Sequence, residues 1–180
     1  MIDCVIESDK NLRNRLSFFT AALCFLFSYF LSVIHDAKAQ TRFSTRVDGV
    51  IRTGLVYVPQ SKTPTPDNRF PMVFVLHDAY SNAHQAMYQT NMNKTAEDFG
   101  FIVVYPNGTL SEIKKYYTWN AGECCGPAAE DYANDAQYLE KLIDRVGGRY
   151  NGDRDRVYFT GHGNGGMMSY RMVCEAADRI

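Results

Sequence analysis

The sequence predicts an α/β protein built on an open, mostly parallel sheet. Three short, continuously apolar segments, at 72–77, 101–105 and 156–160, have the composition of strands buried on both faces. Segments with helical periodicity lie between and after them, and this alternation implies right-handed parallel crossovers. The 180 residues allow one domain and are too few for a TIM barrel.

Composition and charge exclude several classes of function. The 19 Lys and Arg residues balance 20 Asp and Glu residues, so no basic field for nucleic-acid binding is expected. Hydrophobic residues make up 46% of the chain and charged residues 22%, which excludes a largely disordered protein. The histidines and cysteines lack the spacing of zinc ligands, so we expect no metal and no other cofactor.

The N-terminal segment is predicted to direct export. Two arginines precede the uncharged segment 16–34, and the small residues Ala37 and Ala39 follow it. This order is typical of a secretory signal peptide, here residues 1–39, with cleavage before Gln40. Retention of 16–34 as a membrane anchor is the alternative, and membrane contact is expected only in that case.

The first half of the mature chain contains a hairpin, a connection, a strand and a helix. Residues 43–58 carry strand formers around Asp48-Gly49, a dipeptide that favours a tight hairpin turn. The polar, proline-containing segment 60–68 is predicted to be a surface connection. A helix follows the first buried strand over about 83–99 and ends at Gly100.

The second half begins with a long loop, residues 109–130, which contains Trp119 and Cys124-Cys125. Irregular loops of this length in compact domains tend to be functional. A helix is predicted from Asp131 to Gly147-Gly148, and the last helix, over 167–177, follows the third buried strand.

The glycine-rich turn after the third strand has three interpretations. Gly161, Gly163 and Gly166 match G-x-G-x-x-G, but no βαβ return or ribose-binding acid follows, so a dinucleotide site is weakly supported. Residues 161–165 also match the nucleophile elbow G-x-S-x-G, except that Gly163 stands where the serine would be. A plain tight strand-to-helix connection fits the spacing equally well.

Most of the mature chain resembles one family of secreted esterases. The resemblance covers residues 46–180 in the family's order, and its motifs are Val56–Pro59, Val73–His77, Gly100–Gly108, Trp119–Gly126, Arg156–Gly161, Asn164–Met168, Tyr170-Arg171 and Cys174-Glu175. The family includes polyhydroxybutyrate depolymerases and feruloyl-esterase-like enzymes of the α/β-hydrolase group. The resemblance therefore implies an α/β-hydrolase-like sheet, interrupted after the elbow helix, in domain 40–180.

The family's activity implies a serine triad that hydrolyses polyesters or the feruloyl and acetyl esters of plant polysaccharides. Its oxyanion donors come from the residue after the serine, here Asn164, and from the loop after the Leu-His-Gly strand end. The chain departs from this pattern at Gly163, which lacks the nucleophile, and at Asp78, which replaces the glycine and sets a carboxylate where negative charge develops. The family's Asp and His lie beyond residue 180.

Other candidate groups are weaker. Ser81 lies near the oxyanion loop but has no evident base, and His162 is expected to be a packing or surface residue. His77 is expected to satisfy local hydrogen bonds, and His84 to face solvent. The resemblance implies a disulfide from Cys124 or Cys125 to Cys174, and a vicinal or free pair is the alternative.

Two hypotheses follow from the sequence. In the first, the chain is a secreted carboxylic-ester hydrolase by descent, inactive as it stands because Gly163 replaces the nucleophile. In the second, it is a non-catalytic secreted binding protein or an incomplete gene product, and the coding DNA beyond codon 180 would identify an incomplete one.

Overall fold

The computed structural model describes residues 40–63, 69–111, 113 and 115–180. The predicted signal peptide lies outside the described residues. The strands are β1 (Gln40–Val47), β2 (Val50–Tyr57), β3 (Phe70–Leu76), β4 (Ile102–Pro106), β5 (Thr109–Leu110), β6 (Tyr117–Thr118) and β7 (Gly152–Gly161). The helices are α1 (Ala83–Thr90), α2 (Met92–Phe99), α3 (Gly126–Glu130), α4 (Asp135–Tyr150) and α5 (Asn164–Glu175).

The main sheet has the strand order β1-β2-β4-β3-β7, which confirms the predicted α/β class. β3 pairs in parallel with both β4 and β7, while β1-β2 and β2-β4 are antiparallel. The sheet is therefore mixed rather than mostly parallel, because the N-terminal hairpin adds two antiparallel pairings. Asp48 and Gly49 form the hairpin turn with φ of 50° and 82°, a conformation that Asp and Gly tolerate and that matches the twist of the strands.

Helices cover both faces of the sheet, and the alternation along β3 shows how. Met72, Phe74 and Leu76 belong to the larger buried cluster, which includes apolar residues of α4 and α5. Val75 faces the other way and packs in the smaller cluster with alanines of α1 and α2. A continuously apolar strand is required here because both of its faces are buried.

Two predicted helices differ from the structure. The helix predicted over 83–99 is two helices, because Asn91 adopts φ 48° and ends α1 while α2 begins at the next residue. The helix predicted to end at Gly147-Gly148 continues to Tyr150 and is ended by Asn151 at φ 60°. Both glycines lie inside the helix, and a Cβ on Gly147 would lie 3.0 Å from Nε of Arg154.

The loop at 109–130 is less irregular than predicted. It holds the two-stranded β5-β6 pair and the short helix α3.

Within the described residues β7 pairs only with β3, so it forms an edge of the sheet. Tyr158 of β7 is 55% exposed, and apolar residues of the following α5, such as Tyr170, are also exposed. In the described part of the chain we find no helix with the length and apolarity needed to cross a membrane.

Candidate active site

The turn between β7 and α5 is sharp because its glycines lie against main-chain atoms. Gly163 has φ 50° and ψ −119°, a strained conformation that residues with a side chain rarely adopt. A Cβ on Gly161 would collide with the main chain of Gly165, and a Cβ on Gly165 would collide with the carbonyls of Leu76 and His77. The crowded strand–turn–helix geometry is that of a nucleophile elbow.

Two main-chain N–H groups next to this turn converge on one oxygen of Asp78. The N–H of Ala79 donates to Asp78 Oδ1 at 2.7 Å, and the N–H of Asn164, the first residue of α5, donates to the same oxygen at 2.8 Å. Donors at such distances are the arrangement that stabilises an oxyanion during acyl transfer. In this structure the Asp78 carboxylate accepts both hydrogen bonds.

The second carboxylate oxygen of Asp78 lies 3.3 Å from Nδ1 of His162, whose side chain is 87% exposed. Partial desolvation would raise the pKa of Asp78. The hydrogen bonds from Asn164 and Ala79 outweigh it, and together with His162 they hold that pKa below its usual value. The group at the turn is therefore an ionised carboxylate at neutral pH.

His77 holds the loop that carries Asp78, and its local hydrogen bonding is as predicted. Its Nε2 accepts from the N–H of Gly108 at 3.0 Å, so Nδ1 carries the hydrogen and donates to the Asp78 carbonyl at 2.6 Å. Burial lowers the pKa of His77 to about 4, and the ring is neutral. The indole of Trp119 donates to the His77 carbonyl at 2.9 Å.

The loop before α3 is tied to the elbow helix by side-chain to main-chain hydrogen bonds. Asn164 is buried; its Oδ1 accepts from the Trp119 N–H at 2.7 Å and its Nδ2 donates to the Trp119 carbonyl at 3.0 Å. Arg171 of α5 donates to the Asn120 carbonyl at 2.6 Å. The sequence identified Asn164 only as an oxyanion-donor position, and this second role of its side chain was missed.

A buried carboxylate behind the site was also missed. Asp135, the first residue of α4, is fully buried and forms an ion pair with Arg52 of β2. It also accepts hydrogen bonds from the Thr109 hydroxyl at 3.0 Å and from the Asn120 N–H at 2.8 Å. The only sequence signal was an acidic residue near a helix start, which is typical of many helices.

The remaining candidate residues lie as follows. Ser81 donates to the amide of Gln85 at 2.7 Å, not to a base. His84 is exposed, as predicted, with its Nε2 3.3 Å from Arg42. Within the described ranges no group of three or more His, Cys, Asp or Glu residues is placed to hold a metal.

The resemblance implied a disulfide between the loop and the elbow helix. Cys124 and Cys125 directly precede α3, and Cys174 lies exposed on α5. A bond from Cys124 or Cys125 to Cys174 stays a prediction, with a vicinal or free pair as its alternative. Asn164 and Arg171 also link the loop to the elbow helix, through the hydrogen bonds to Trp119 and Asn120.

The fold and this turn define a class of protein, the α/β-hydrolase group. Solved structures of this fold are similar: an S-formylglutathione hydrolase from Agrobacterium tumefaciens (TM-score 0.61, 19% identity, 78% of this chain and 54% of that one) and an acetyl xylan esterase from Aspergillus awamori (TM-score 0.60, 17% identity, 78% and 49%). The model of the Esterase PHB depolymerase family matches residues 55–175. The chain belongs to that family.

Curated relatives have related activities in their names. A bifunctional acetylxylan esterase/xylanase of Neocallimastix patriciarum is 28% identical over 75% of this chain and 18% of its own length. A poly(3-hydroxybutyrate) depolymerase of Ralstonia pickettii is 29% identical over 79% and 30%, and a feruloyl esterase B of Thermothelomyces thermophilus is 26% identical over 66% and 38%. The chain thus spans less than half the length of these relatives.

Proposed function

We propose that this chain is a secreted member of the ester-hydrolase family that binds carboxylic esters without hydrolysing them through a serine nucleophile. The observation that carries the proposal is Gly163 at the sharp turn of the elbow, beside the two converging N–H donors. A glycine has no hydroxyl with which to form an acyl-enzyme. Removal of the nucleophile from such a triad costs about 10⁶ in turnover.

Asp78 supports the same conclusion, because it interferes with stabilisation of the transition state. An enzyme without its nucleophile retains about 10³–10⁴ over water, partly from the oxyanion donors. Here both donors are engaged by the Asp78 carboxylate, whose negative charge repels a developing oxyanion. The residual rate is therefore expected to be lost as well.

The substitutes near the turn do not replace the missing group. The Ser81 hydroxyl donates to Gln85, so no base accepts its proton. His162 lies beside the Asp78 carboxylate and is largely exposed, but glycine offers it no proton to remove. We assign both side chains no part in a covalent mechanism.

The proposed ligands are polyesters or the feruloyl and acetyl esters of polysaccharides, in line with the names of the relatives. Tyr80, two residues after Asp78, is 66% exposed and forms an edge-to-face pair with Tyr116, with ring centroids 4.6 Å apart. An exposed aromatic ring held by a neighbour offers a stacking surface for a sugar or phenolic ring at little entropic cost.

The activity part is tested with p-nitrophenyl acetate. The purified chain should release no more nitrophenol than the same protein after thermal unfolding. Turnover that a serine-directed fluorophosphonate abolishes would contradict the proposal.

The binding part is tested by co-sedimentation with insoluble acetylated xylan and with polyhydroxybutyrate granules. The chain should sediment with at least one of them, and Tyr80→Ala should weaken that binding. Tyr88→Ala is the matched control, because Tyr88 is 87% exposed on α1. Equal binding by the two variants, or none by the wild type, would count against the Tyr80 surface.

Secretion is part of the proposal because residues 1–39 have the order of a signal peptide. Expression of the full-length chain in a secreting host should give a protein in the medium whose N-terminal residue is Gln40. Recovery of the uncleaved chain in the membrane fraction would instead indicate that 16–34 is retained as an anchor.

A further inference from the structure

We infer that the elbow of this protein contains a carboxylate-binding site, and that the side chain of Asp78 from the same chain occupies it. Asp78 can occupy the site only because residue 163 is a glycine. The inference rests on the proposed placement of Gly163 at the nucleophile position. It adds two statements. The two N–H groups at the oxyanion position still bind an anion, and the effect of a substitution at residue 163 depends on the residue at position 78.

The donors form a built site for one carboxylate oxygen. They come from two separate segments, Ala79 in the loop after β3 and Asn164 at the start of the 12-residue helix α5. Both N–H groups point at Asp78 Oδ1, and the positive end of the helix favours a negative charge there. Two histidines lie next to the site and do not compete with the carboxylate for the donors. His77 donates to the Asp78 carbonyl, and His162 lies beside the other carboxylate oxygen.

The space for the ligand exists only because residue 163 lacks a side chain. A Cβ added to Gly163 would overlap Oδ1, Cγ and Oδ2 of Asp78, three atoms of the same carboxylate. A side chain at 163 therefore has to push the carboxylate away from both donors. The converging N–H groups would then lose a charged partner, and each such hydrogen bond is worth more than a neutral one.

The positive φ of Gly163 needs a control, because any side chain at such a position is strained. Gly122 provides it: its φ is 94°, and an added Cβ would meet no atom within 4 Å. Gly122→Ala thus reports backbone strain alone, and Gly163→Ala reports strain together with expulsion of the carboxylate.

The first experiment is a double-mutant cycle on the full chain, with the folding equilibrium measured in urea. Gly163→Ala should lower the folding equilibrium constant about tenfold or more beyond the effect of Gly122→Ala, from the loss of a charged partner for two N–H groups. In the Asp78→Gly background the excess cost of Gly163→Ala over Gly122→Ala should shrink, because no carboxylate is left to expel. Equal costs in the wild-type background, with no coupling to Asp78, would overturn the inference.

The second experiment needs no substitution at residue 163. In the wild type, the amide protons of Ala79 and Asn164 should shift together as acid protonates Asp78, and added sodium acetate should not move them. In Asp78→Gly, acetate should shift the same two amides saturably, because the donors are vacated. Amides that ignore the titration of Asp78 in the wild type would refute internal occupancy, whatever the esterase assay shows.

Discussion

Replacing Asp135 by alanine should destabilise the domain strongly, because its carboxylate joins three segments of the chain. Arg52 of β2 pairs with it, the hydroxyl of Thr109 in β5 donates to it at 3.0 Å, and the N–H of Asn120 donates to it at 2.8 Å. Asp135 is fully buried and Arg52 is 7% exposed, with its guanidinium 4.3 Å from the ring centroid of Tyr138.

The expected loss follows from the charge left behind. Removal of one partner of a buried ion pair costs about 3–5 kcal/mol, because the other charge remains buried and uncompensated. The lost hydrogen bonds to Thr109 and Asn120 add to this cost. A net loss of about 3–5 kcal/mol is a large share of the roughly 5–15 kcal/mol that stabilises a typical domain.

The assay is urea unfolding followed by the fluorescence of Trp119, the single tryptophan, which is fully buried and adjacent to Asn120. Asp131→Ala is the matched control, since Asp131 precedes the same helix but is exposed. If the free energies of unfolding of the two variants agreed to within about 0.5 kcal/mol, the assignment of Asp135 as a buried junction would be refuted. The double variant R52M/D135L should recover most of the loss.

Three further predictions concern the site, a surface carboxylate and the sheet edge. Gly163→Ser alone should give no burst of p-nitrophenol, because the serine has no positioned base and Asp78 fills its space; a burst would assign the base role to His162. Partial burial would raise the pKa of Glu97, but hydrogen bonds from Ser61, Tyr57 and Gln60 lower it to about 2. The stabilising effect of the ionised Glu97 should therefore be complete above pH 4.5 and lost as the pH falls towards 2. Glu97→Gln should lower the free energy of unfolding by about 1–3 kcal/mol at neutral pH. Thermal unfolding of both proteins as a function of pH measures this, and an equal loss of stability on acidification in the two proteins would contradict it. Because β7 is an edge strand with Tyr158 exposed, the chain should self-associate in sedimentation experiments, and a stable monomer with a cooperative melt would show that the edge is protected.

The elements that sequence could predict are those whose signals are local. The Asp48-Gly49 turn and the apolar strands were correct because turn conformation and burial on both faces each leave a short, direct pattern. The break at Asn91 was missed because an asparagine in the left-handed region looks like any polar helical residue. Gly147-Gly148 indicated a helix end, yet both glycines lie inside α4, beside Arg154.

The candidate site was predictable as positions but not as an arrangement. The resemblance drew attention to Asp78, Gly163 and Asn164 one by one, since each occupies a place in a family motif. That the Asp78 carboxylate reaches the Asn164 N–H, 86 residues further along the chain, depends on the parallel register of β3 with β7. The networks around Asp135 and Trp119 depend in the same way on loop packing, which leaves no periodic pattern.

The contact between residues 78 and 163 also restricts how this site can change into one that carries a serine. With Asp78 present, a side chain at 163 overlaps the carboxylate and displaces it from two N–H donors. With glycine at 78 first, the vacated donors can be hydrated at the half-exposed turn, and a serine at 163 then meets the strain of a positive φ but no carboxylate. The less costly order is therefore Asp78→Gly before Gly163→Ser. Each departure from the family pattern looks like an independent loss of function in the sequence, but in the folded protein each makes the other tolerable.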